Sequence, residues 1–170
     1  MMKRSVSIVC SALIFFLVLP YPLWAWSGKV IGVADGDTIT VLRDKQPQKI
    51  RLYGIDCPEK RQPFGNSAKH FTSQLVFGKL VEVEPVATDR YGRTVAFVQV
   101  ENVLLNEALI SEGMAWVFPR YCRDAVCDKW LSLQALAKIG KQGLWQDSNV
   151  TPPWEFRKQR KAHSTTAAVR

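Results

Sequence analysis

The feature that most constrains the fold is a succession of short segments with alternating, often β-branched apolar residues. Three such segments come first, then a helical segment, then two more strands, and then further helices. Strands that alternate singly with helices would predict a parallel sheet built from βαβ units, and this order does not fit that pattern. The predicted strands are 29–34, 38–43, 49–53, 80–86 and 94–100, and the predicted helices are 67–77, 104–112 and 124–141.

Five short strands with an inserted helix are typical of a small, partly open barrel of the oligonucleotide-binding (OB) type. The chain has 170 residues, of which 47% are hydrophobic and 22% are charged. That balance suits one packed core and argues against disorder throughout the chain. We therefore predict an α+β protein whose domain, residues 26–150, is a five-stranded OB-type β-barrel with three helices.

Residues 1–25 are predicted to be a secretory signal peptide rather than part of the fold. Lys3 and Arg4 precede an apolar run without a charge, and Leu23-Trp24-Ala25 is an acceptable cleavage site. The alternative is an uncleaved anchor, because the uncharged stretch 5–28 could just span a bilayer. Cleavage predicts export, to the periplasm or the medium, and an oxidising environment for the remaining chain.

The basic excess of the chain is concentrated at its C-terminus. The formal net charge of +8 falls to +6 without Lys3 and Arg4, and residues 151–170 carry +4 of it. This segment contains Pro152-Pro153 and a stretch rich in Ser, Thr and Ala, so we predict a basic, disordered tail. A run of charges is more often solvated than part of a binding site, and it does not by itself indicate a ligand.

Four carboxylates, called the acidic cluster below, lie in two predicted turns. They are Asp35, Asp37, Asp56 and Glu59. A hairpin folded at the middle of the 44–48 loop would place Asp37 opposite Asp56, about 5 Å away. Like charges at that distance need a cation or a proton, and oxygen-only ligands predict Ca²⁺ or Mg²⁺, with flexible turns favouring Ca²⁺ slightly. Each motif alone favours a simple turn, and it is their pairing that makes a metal site an equal alternative.

Two arginines are candidate phosphate ligands, because a guanidinium can bind a phosphate through two parallel hydrogen bonds. Arg93 follows a predicted tight turn, and alone it is also consistent with an exposed residue at the start of a strand. Arg51 precedes Asp56 by five residues, so an ideal strand would point the two to opposite faces. Only a bend near Gly54 would bring Arg51 and Asp56 together.

We predict a disulfide between Cys122 and Cys127, with Cys57 as the free thiol. Cys57 lies beside a proposed metal ligand, where a bridge would distort the turn. The other two are five residues apart at the start of the last predicted helix, where their Cα atoms can approach within about 7 Å. Two reduced, partly buried thiols are the alternative.

Six segments occur in an order that is far more specific than any one of them. They are Asp35-Gly36-Asp37-Thr38, Arg51-Leu52, Asp56-Cys57-Pro58-Glu59, Asp89-Arg90-Tyr91-Gly92-Arg93, residues 103–109 and Gly143-Leu144-Trp145. This order resembles the staphylococcal (micrococcal) nuclease family, or thermonucleases, over residues 29–146. The resemblance implies an OB-type barrel with three helices and Ca²⁺-dependent hydrolysis of DNA and RNA.

The resemblance also implies ligands for the metal and roles for the polar residues. Asp37, Asp56 and the backbone carbonyl of Cys57 would bind Ca²⁺, with Asp35 in the outer coordination shell. The implied catalytic residues are the general base Glu59 and the phosphate ligands Arg51 and Arg93, and the implied nucleotide pocket is lined by Tyr91 and Tyr121. Two departures concern the pocket: Pro119 stands where a tyrosine is expected, and residues 120–128 differ.

The implied partners are DNA and RNA, preferably single-stranded, bound by a monomer without a membrane anchor once the signal peptide is cleaved. A non-catalytic nucleic-acid-binding OB module of the same family is the main alternative, but it would lack part of the acidic and arginine set. A nuclease core of carboxylates and lysine would need a Glu-x-Lys strand, which residues 82–85 do not supply. A membrane-surface protein would require no acidic cluster.

Overall fold

The computed structural model describes residues 25–168, and the side-chain surroundings as far as residue 162. Residues 1–24, which make up nearly all of the predicted signal peptide, lie outside the described residues. No helix of the described part is long and apolar enough to cross a membrane. The elements are β1 (Trp26–Asp35), β2 (Thr38–Arg43), β3 (Gln46–Leu52), β4 (Ile55–Asp56), α1 (Gly65–Val76), β5 (Leu80–Thr88), β6 (Thr94–Val100), β7 (Val103–Leu104), α2 (Leu105–Ser111), β8 (Trp116–Val117), α3 (Val126–Ile139), a 3₁₀ turn (Gly143–Gln146) and α4 (Pro153–Ala168).

Five of the strands form a closed barrel. β1 pairs with β2 on one side and with β5 on the other, both antiparallel. β3 extends the sheet beyond β2, and β6 extends it beyond β5. A parallel pairing of β3 with β6 closes the barrel. The predicted α+β fold with a five-stranded OB-type barrel is therefore confirmed, and α4 is added to the three predicted helices.

The barrel and the helices share one apolar core, which the alternation of the strands produces. Successive side chains of a strand point to opposite faces, so that alternate residues of β2 and β3 are buried inside. α1 lies against β1, and α2 packs against α3. Trp130 of α3 is completely buried and contacts the rings of Tyr53 and Phe97. Trp130 therefore joins α3 to the core that the barrel and the helices share.

The first hairpin turns earlier than the sequence predicts. Asp44 and Lys45 form a two-residue turn with φ of 48° and 64°, and β3 begins directly after it. Positive φ at both central residues gives the turn a twist that matches the flanking strands. The resulting register pairs Thr38 with Arg51, so the predicted placement of Asp37 directly opposite Asp56 is wrong.

Residues 153–168 form a helix, so the prediction of a disordered tail is wrong for this described part of the C-terminal segment. Pro153 occupies the first position of α4, and Glu155 lies in its first turn, both of which favour a helix start. Trp154 stacks on Phe118 with ring centroids 4.8 Å apart and an interplanar angle of 4°. The composition of residues 151–170 did not indicate that a helix begins at Pro153 or that Trp154 packs on Phe118.

Candidate active site

Three neighbouring parts of the chain bring the acidic cluster together. Asp35 and Asp37 flank the turn between β1 and β2, Asp56 ends β4, and Glu59 lies in the loop before α1. β8 holds β4 in place, because Asp56 pairs with Trp116. Asp37 and Asp56 are buried, whereas the Glu59 side chain is 33% exposed. The cluster therefore has a buried pair of carboxylates and one that solvent can reach.

A bend at Gly54 carries Asp56 back towards Arg51, as the sequence requires for these two residues to meet. Gly54 has φ of 71°, a conformation that glycine adopts without strain. Arg51 then binds both buried carboxylates, with Nη1 2.7 Å from Asp37 Oδ1 and Nη2 2.8 Å from Asp56 Oδ1. The two aspartates meet through this guanidinium and not across the hairpin ladder.

Hydrogen bonds from Cys57 and from α1 hold the turn that carries Asp37. The Cys57 N–H donates to Asp37 Oδ2 at 2.6 Å, and Thr72 Oγ1 of α1 donates to the Gly36 carbonyl at 2.6 Å. A Cβ at position 36 would lie 2.8 Å from atoms of Cys57 and Ala68, so that only glycine fits this close approach. The Asp-Gly-Asp sequence is thus required by packing as well as by the turn.

Arg157 of α4 closes the solvent side of the acidic cluster. Its Nη2 lies 2.7 Å from Asp56 Oδ2, and its Nη1 lies 3.2 Å from Asp56 Oδ1 and 2.7 Å from Glu59 Oε1. The Arg157 side chain is 39% exposed, whereas that of Arg51 is 15% exposed. Asp56 is therefore held between one arginine from the interior and another from the surface.

Burial is the largest influence on the pKa values of the cluster, and the neighbouring charges add to it or oppose it. Burial, followed by the charge of Asp37, raises the pKa of Asp35 from 3.8 to about 7. Burial also raises the pKa of Asp56, although Arg157 and Arg51 act in the opposite direction. Burial opposes the charge of Arg51, but Asp37 and Asp56 outweigh it and raise the pKa of the guanidinium. Such a site favours an additional cation.

Arg93 immediately precedes β6, the strand that closes the barrel by pairing with β3, which carries Arg51. The register pairs Arg51 with Val95, two residues after Arg93, which corresponds to about 7 Å along a strand. Arg93 Nε lies 2.7 Å from Asp89 Oδ2, and the same carboxylate accepts the backbone N–H groups of Arg93 and Tyr91. Asp89 therefore sets the direction of the Arg93 side chain.

The two predicted pocket tyrosines are both exposed, and each lies beside a different side chain. Tyr91 is 68% exposed, and the guanidinium of Arg93 lies 5.5 Å from its ring centroid. Tyr121 is 56% exposed and contacts Phe118, with ring centroids 4.9 Å apart. The structure thus places Tyr91 beside Arg93, and Tyr121 beside the ring on which Trp154 stacks.

A disulfide joins Cys122 and Cys127 at the positions where the sequence predicts one, with Cα atoms 5.7 Å apart. It ties the segment after Tyr121 to the first turn of α3. Cys57 is a buried free cysteine, and burial raises the pKa of its thiol well above its usual value. The Cys57 side chain therefore stays neutral beside the acidic cluster.

Comparisons with known proteins identify the family of the chain. The model of a family described as staphylococcal nuclease homologue matches residues 49–147, more than half of the chain. The chain belongs to the staphylococcal nuclease family. The match includes Arg51, Asp56, Glu59 and Arg93, and it ends before α4 begins. The family expected from the motif order is confirmed, and with it the assignment to a class of nucleic-acid hydrolases.

Individual relatives match nearly the whole chain. Protein ParB of Escherichia coli is 39% identical, over 94% of this chain and 96% of that protein. A micrococcal nuclease of Shigella flexneri is 35% identical, over 85% of this chain and 88% of its own length. An uncharacterized endonuclease of Haemophilus influenzae is 34% identical, over 95% and 89%. The likeness is therefore one between whole proteins rather than between single motifs.

The metal ligands that the resemblance to the staphylococcal nucleases implies are chemically suited to Ca²⁺. Asp37, Asp56 and a backbone carbonyl supply only oxygen atoms, which hard cations prefer. Among the described residues, no three His, Cys, Asp or Glu side chains are grouped so as to hold a metal ion. The two carboxylates are bound by Arg51 and Arg157 instead. The donor types fit the ion, and the position of Arg157 competes with it.

Sequence reasoning missed Gln62, Trp154 and Arg157. Gln62 accepts the Glu59 N–H through Oε1 at 3.1 Å and donates from Nε2 to the Thr151 carbonyl at 2.5 Å. Trp154 and Arg157 are three residues apart, the spacing that puts two side chains on one face of a helix. Pro153 immediately before them is the signal that could have identified the helix.

Proposed function

We propose that this chain is a Ca²⁺-dependent endonuclease that hydrolyses phosphodiester bonds of DNA and RNA at the acidic cluster. One observation carries the proposal: two buried carboxylates are joined by Arg51, and the accessible carboxylate of Glu59 lies in the same ion-paired group. Buried like charges are costly, and proteins retain them where they hold a cation or a proton. An acid–base group beside them suits hydrolysis.

Asp37 and Asp56 would hold the ion together with the Cys57 carbonyl, and Asp35 would act on its coordinated water. A bound divalent cation neutralises the phosphate and stabilises charge that develops on its oxygens. The chain prepares this position, because the Cys57 N–H and Arg51 orient Asp37 before any ligand arrives. Burial and the charge of Asp37 raise the pKa of Asp35 to about 7, and a cation bound nearby would lower it and favour the carboxylate.

Glu59 would accept the proton of the attacking water, because its carboxylate is partly exposed whereas those of Asp37 and Asp56 are buried. The hydrogen bond from the Glu59 N–H to Gln62 Oε1 fixes the backbone of Glu59. The Glu59 carboxylate contacts Arg157 through Oε1. Positioned general bases typically contribute 10²- to 10⁴-fold to a rate, an order-of-magnitude range. Glu59 Oε1 would have to leave Arg157 before that oxygen could accept a proton from water.

Arg51 and Arg93 would contact the phosphate from two sides. Arg51 is fixed by two carboxylates, and Arg93 is directed by Asp89, so both guanidinium groups are ordered before substrate binds. Ordered donors that meet developing charge stabilise a transition state without reorganisation. Tyr91 and Tyr121 offer exposed rings on which unstacked bases could lie, which supports a preference for single strands.

A second candidate is nucleic-acid binding without hydrolysis. The ion pairs of Arg157 favour it, because they engage both Asp56 and Glu59, the residues that chemistry requires. Both candidate functions include binding of nucleic acid, and only the first includes its cleavage. An activity measurement therefore separates them. In either case we propose that the protein acts as a monomer outside the cytoplasm, after removal of residues 1–25.

The test is cleavage of single-stranded DNA, duplex DNA and RNA by the purified protein in Ca²⁺, in Mg²⁺ or in EDTA. We expect cleavage of single-stranded DNA and of RNA in Ca²⁺, slower cleavage of duplex DNA, and none in EDTA. Binding without cleavage in Ca²⁺ would support the second candidate. Full activity in EDTA would reject the role given to the acidic cluster.

A further inference from the structure

The contacts of α4 with the acidic cluster occupy the atoms that the proposed chemistry needs. Arg157 takes both oxygens of Asp56 and one oxygen of Glu59. Asp56 is a proposed metal ligand, and Glu59 is the proposed base. A guanidinium and a divalent cation cannot occupy the same place on Asp56. The arrangement described here is therefore a closed form of the site.

The two arginines differ in how they could leave. Arg51 lies on β3 and is largely buried between Asp37 and Asp56, so its removal would disturb the barrel. Arg157 is 39% exposed and lies on α4, which is not part of the barrel. Lys158 and Arg160, on the following turn, are exposed. Only the surface arginine can withdraw while the barrel stays intact.

The anchor of α4 covers a surface that suits a nucleobase. The Trp154 indole lies parallel to Phe118 at 4.8 Å, the geometry of one aromatic ring stacked on another. Phe118 also contacts the exposed Tyr121. Bases of single strands bind proteins by stacking on such rings. One face of α4 thus presents an indole where a base could stack and a guanidinium where a cation could bind.

We propose that α4 is an autoinhibitory cover, which a divalent cation and a nucleic-acid strand displace from the acidic cluster. The inference rests on the proposed function, because it gives the same site an open and a closed form. Gln62 would act as the hinge contact, since it holds both the Glu59 backbone and the Thr151 carbonyl just before α4. A cover that is closed nine-tenths of the time weakens the apparent affinity for the displacing ligand about tenfold.

Two variants open the cover in different ways, and a third serves as their control. Arg157→Gln removes the ion pairs with Asp56 and Glu59. Trp154→Ala removes the anchor and leaves the charge of the chain unchanged. Arg160→Gln removes the same charge as Arg157→Gln from an exposed position of the same helix. An effect shared by the first two and absent from the third cannot arise from net charge alone.

The experiment measures Ca²⁺ affinity by calorimetry and amide hydrogen exchange of residues 151–162 by mass spectrometry, on the chain after removal of residues 1–25. We expect Ca²⁺ to raise the exchange of α4 in the unaltered protein. Arg157→Gln and Trp154→Ala should show raised exchange without Ca²⁺ and bind Ca²⁺ about tenfold more tightly, the effect of removing a nine-tenths closed state. Arg160→Gln should change the Kd for Ca²⁺ less than about twofold.

Other results would overturn the inference. If Trp154→Ala binds Ca²⁺ no more tightly than the unaltered protein, or if Ca²⁺ slows the exchange of α4, the helix does not compete with the ion. A loss of more than about tenfold in kcat by Arg157→Gln at saturating Ca²⁺ would make Arg157 a substrate ligand instead. Absence of Ca²⁺ binding and of cleavage in every variant would reject the proposed function itself. Cleavage in Ca²⁺ without a change in the hydrogen exchange of α4 would reject only the proposal that α4 is an autoinhibitory cover.

Discussion

At the scale of single residues, each arginine of the site is ordered by a carboxylate. Arg51 bridges Asp37 and Asp56, and Arg93 is held by Asp89. A free arginine side chain loses rotamer freedom when it binds a ligand, so fixing it beforehand lowers the cost of binding. The carboxylates therefore act as positioning residues for the cations that would meet a phosphate.

Replacing Arg93 by lysine tests whether its planar fork acts on the transition state. Lysine keeps the charge but cannot make two parallel hydrogen bonds, and it cannot reproduce the bond from Nε to Asp89. We expect kcat to fall on the order of 10²-fold while KM changes little, as for an interaction made mainly in the transition state. Arg43→Lys, at the far end of β2, is the control and should leave both parameters unchanged. A change in KM alone would contradict the role given to Arg93.

The pair of Asp89 and Arg93 also predicts a pH dependence of stability. Although burial acts in the opposite direction, the hydrogen bonds from Arg93 and Tyr91 lower the pKa of Asp89 below 3.8. The unfolded chain then takes up the proton first, so this stabilisation is present above about pH 4 and is lost as the pH falls through the lowered pKa.

Denaturant unfolding of Asp89→Asn and of the unaltered protein, from pH 6 to pH 2, checks this sign. Asp89→Asn should lower the free energy of unfolding at pH 6 by less than about 1 kcal/mol, because the pair lies near the surface. The difference should close at the lowest pH. Asp44→Asn, in the exposed hairpin turn, is the control. A difference that grows as the pH falls would contradict the assignment.

At the scale of elements, two tight turns decide where the carboxylates lie. The two-residue turn at Asp44 and Lys45 sets the register of β2 and β3, and the bend at Gly54 turns β4 back to the site. Strand and helix types followed from apolar spacing, because alternation and helical period are local properties of the sequence. The register of β2 and β3 could not be predicted in this way. Pro47 suggested a longer loop, whereas the twist of the barrel favours the shorter turn.

Gly54→Ala tests whether the bend is required. Its Cβ would lie 2.8 Å from Trp130 Cζ3 and 3.0 Å from Cys122 Sγ, in addition to the strain of a positive φ. Gly78 is a matched control, with φ of 76° and nothing within 4 Å of an added Cβ. Gly78→Ala should cost about 1–2 kcal/mol of unfolding free energy from strain alone. Gly54→Ala should cost at least about 1–3 kcal/mol more from overpacking.

The measurement is chemical unfolding of both glycine variants together with their cleavage rates. Loss of activity in Gly54→Ala at a temperature where it remains folded would show that the active site requires the bend. Equal costs for the two variants would contradict the crowding at position 54.

At the scale of the whole molecule, the chain is a closed barrel with a helix drawn back over its acidic cluster. The fold class and the residues of the acidic cluster were predictable, because motifs and apolar spacing depend only on residues that are close together in the sequence. The position of Arg157 was not, because its contacts with Asp56 and Glu59 join residues about a hundred positions apart. The prediction for residues 151–170 rested on their average composition. It gave no weight to Trp154 and Arg157, which lie three residues apart and so share one face of a helix.

A bound ion should stabilise the whole fold, because it binds the folded form only. At a Ca²⁺ concentration of 100 times the Kd, the free energy of unfolding should rise by about 2.7 kcal/mol. For a chain of this size this corresponds to a rise in Tm of roughly 5–10 °C. Thermal unfolding with Ca²⁺ and with EDTA measures it. Asp37→Ala should abolish the shift, whereas Asp44→Asn should keep it; an equal shift in all three proteins would place the ion elsewhere.

The most direct test of the central claim is the cleavage rate of Glu59→Gln on single-stranded DNA, measured with its Ca²⁺ affinity on the same sample. The amide cannot accept a proton from water, so kcat should fall on the order of 10²-fold or more, while Ca²⁺ should bind at least as tightly because Asp37 and Asp56 are intact. Glu84→Gln, on the exposed face of β5, should retain full activity. An unchanged kcat in Glu59→Gln with Ca²⁺ bound would contradict hydrolysis by this acidic cluster.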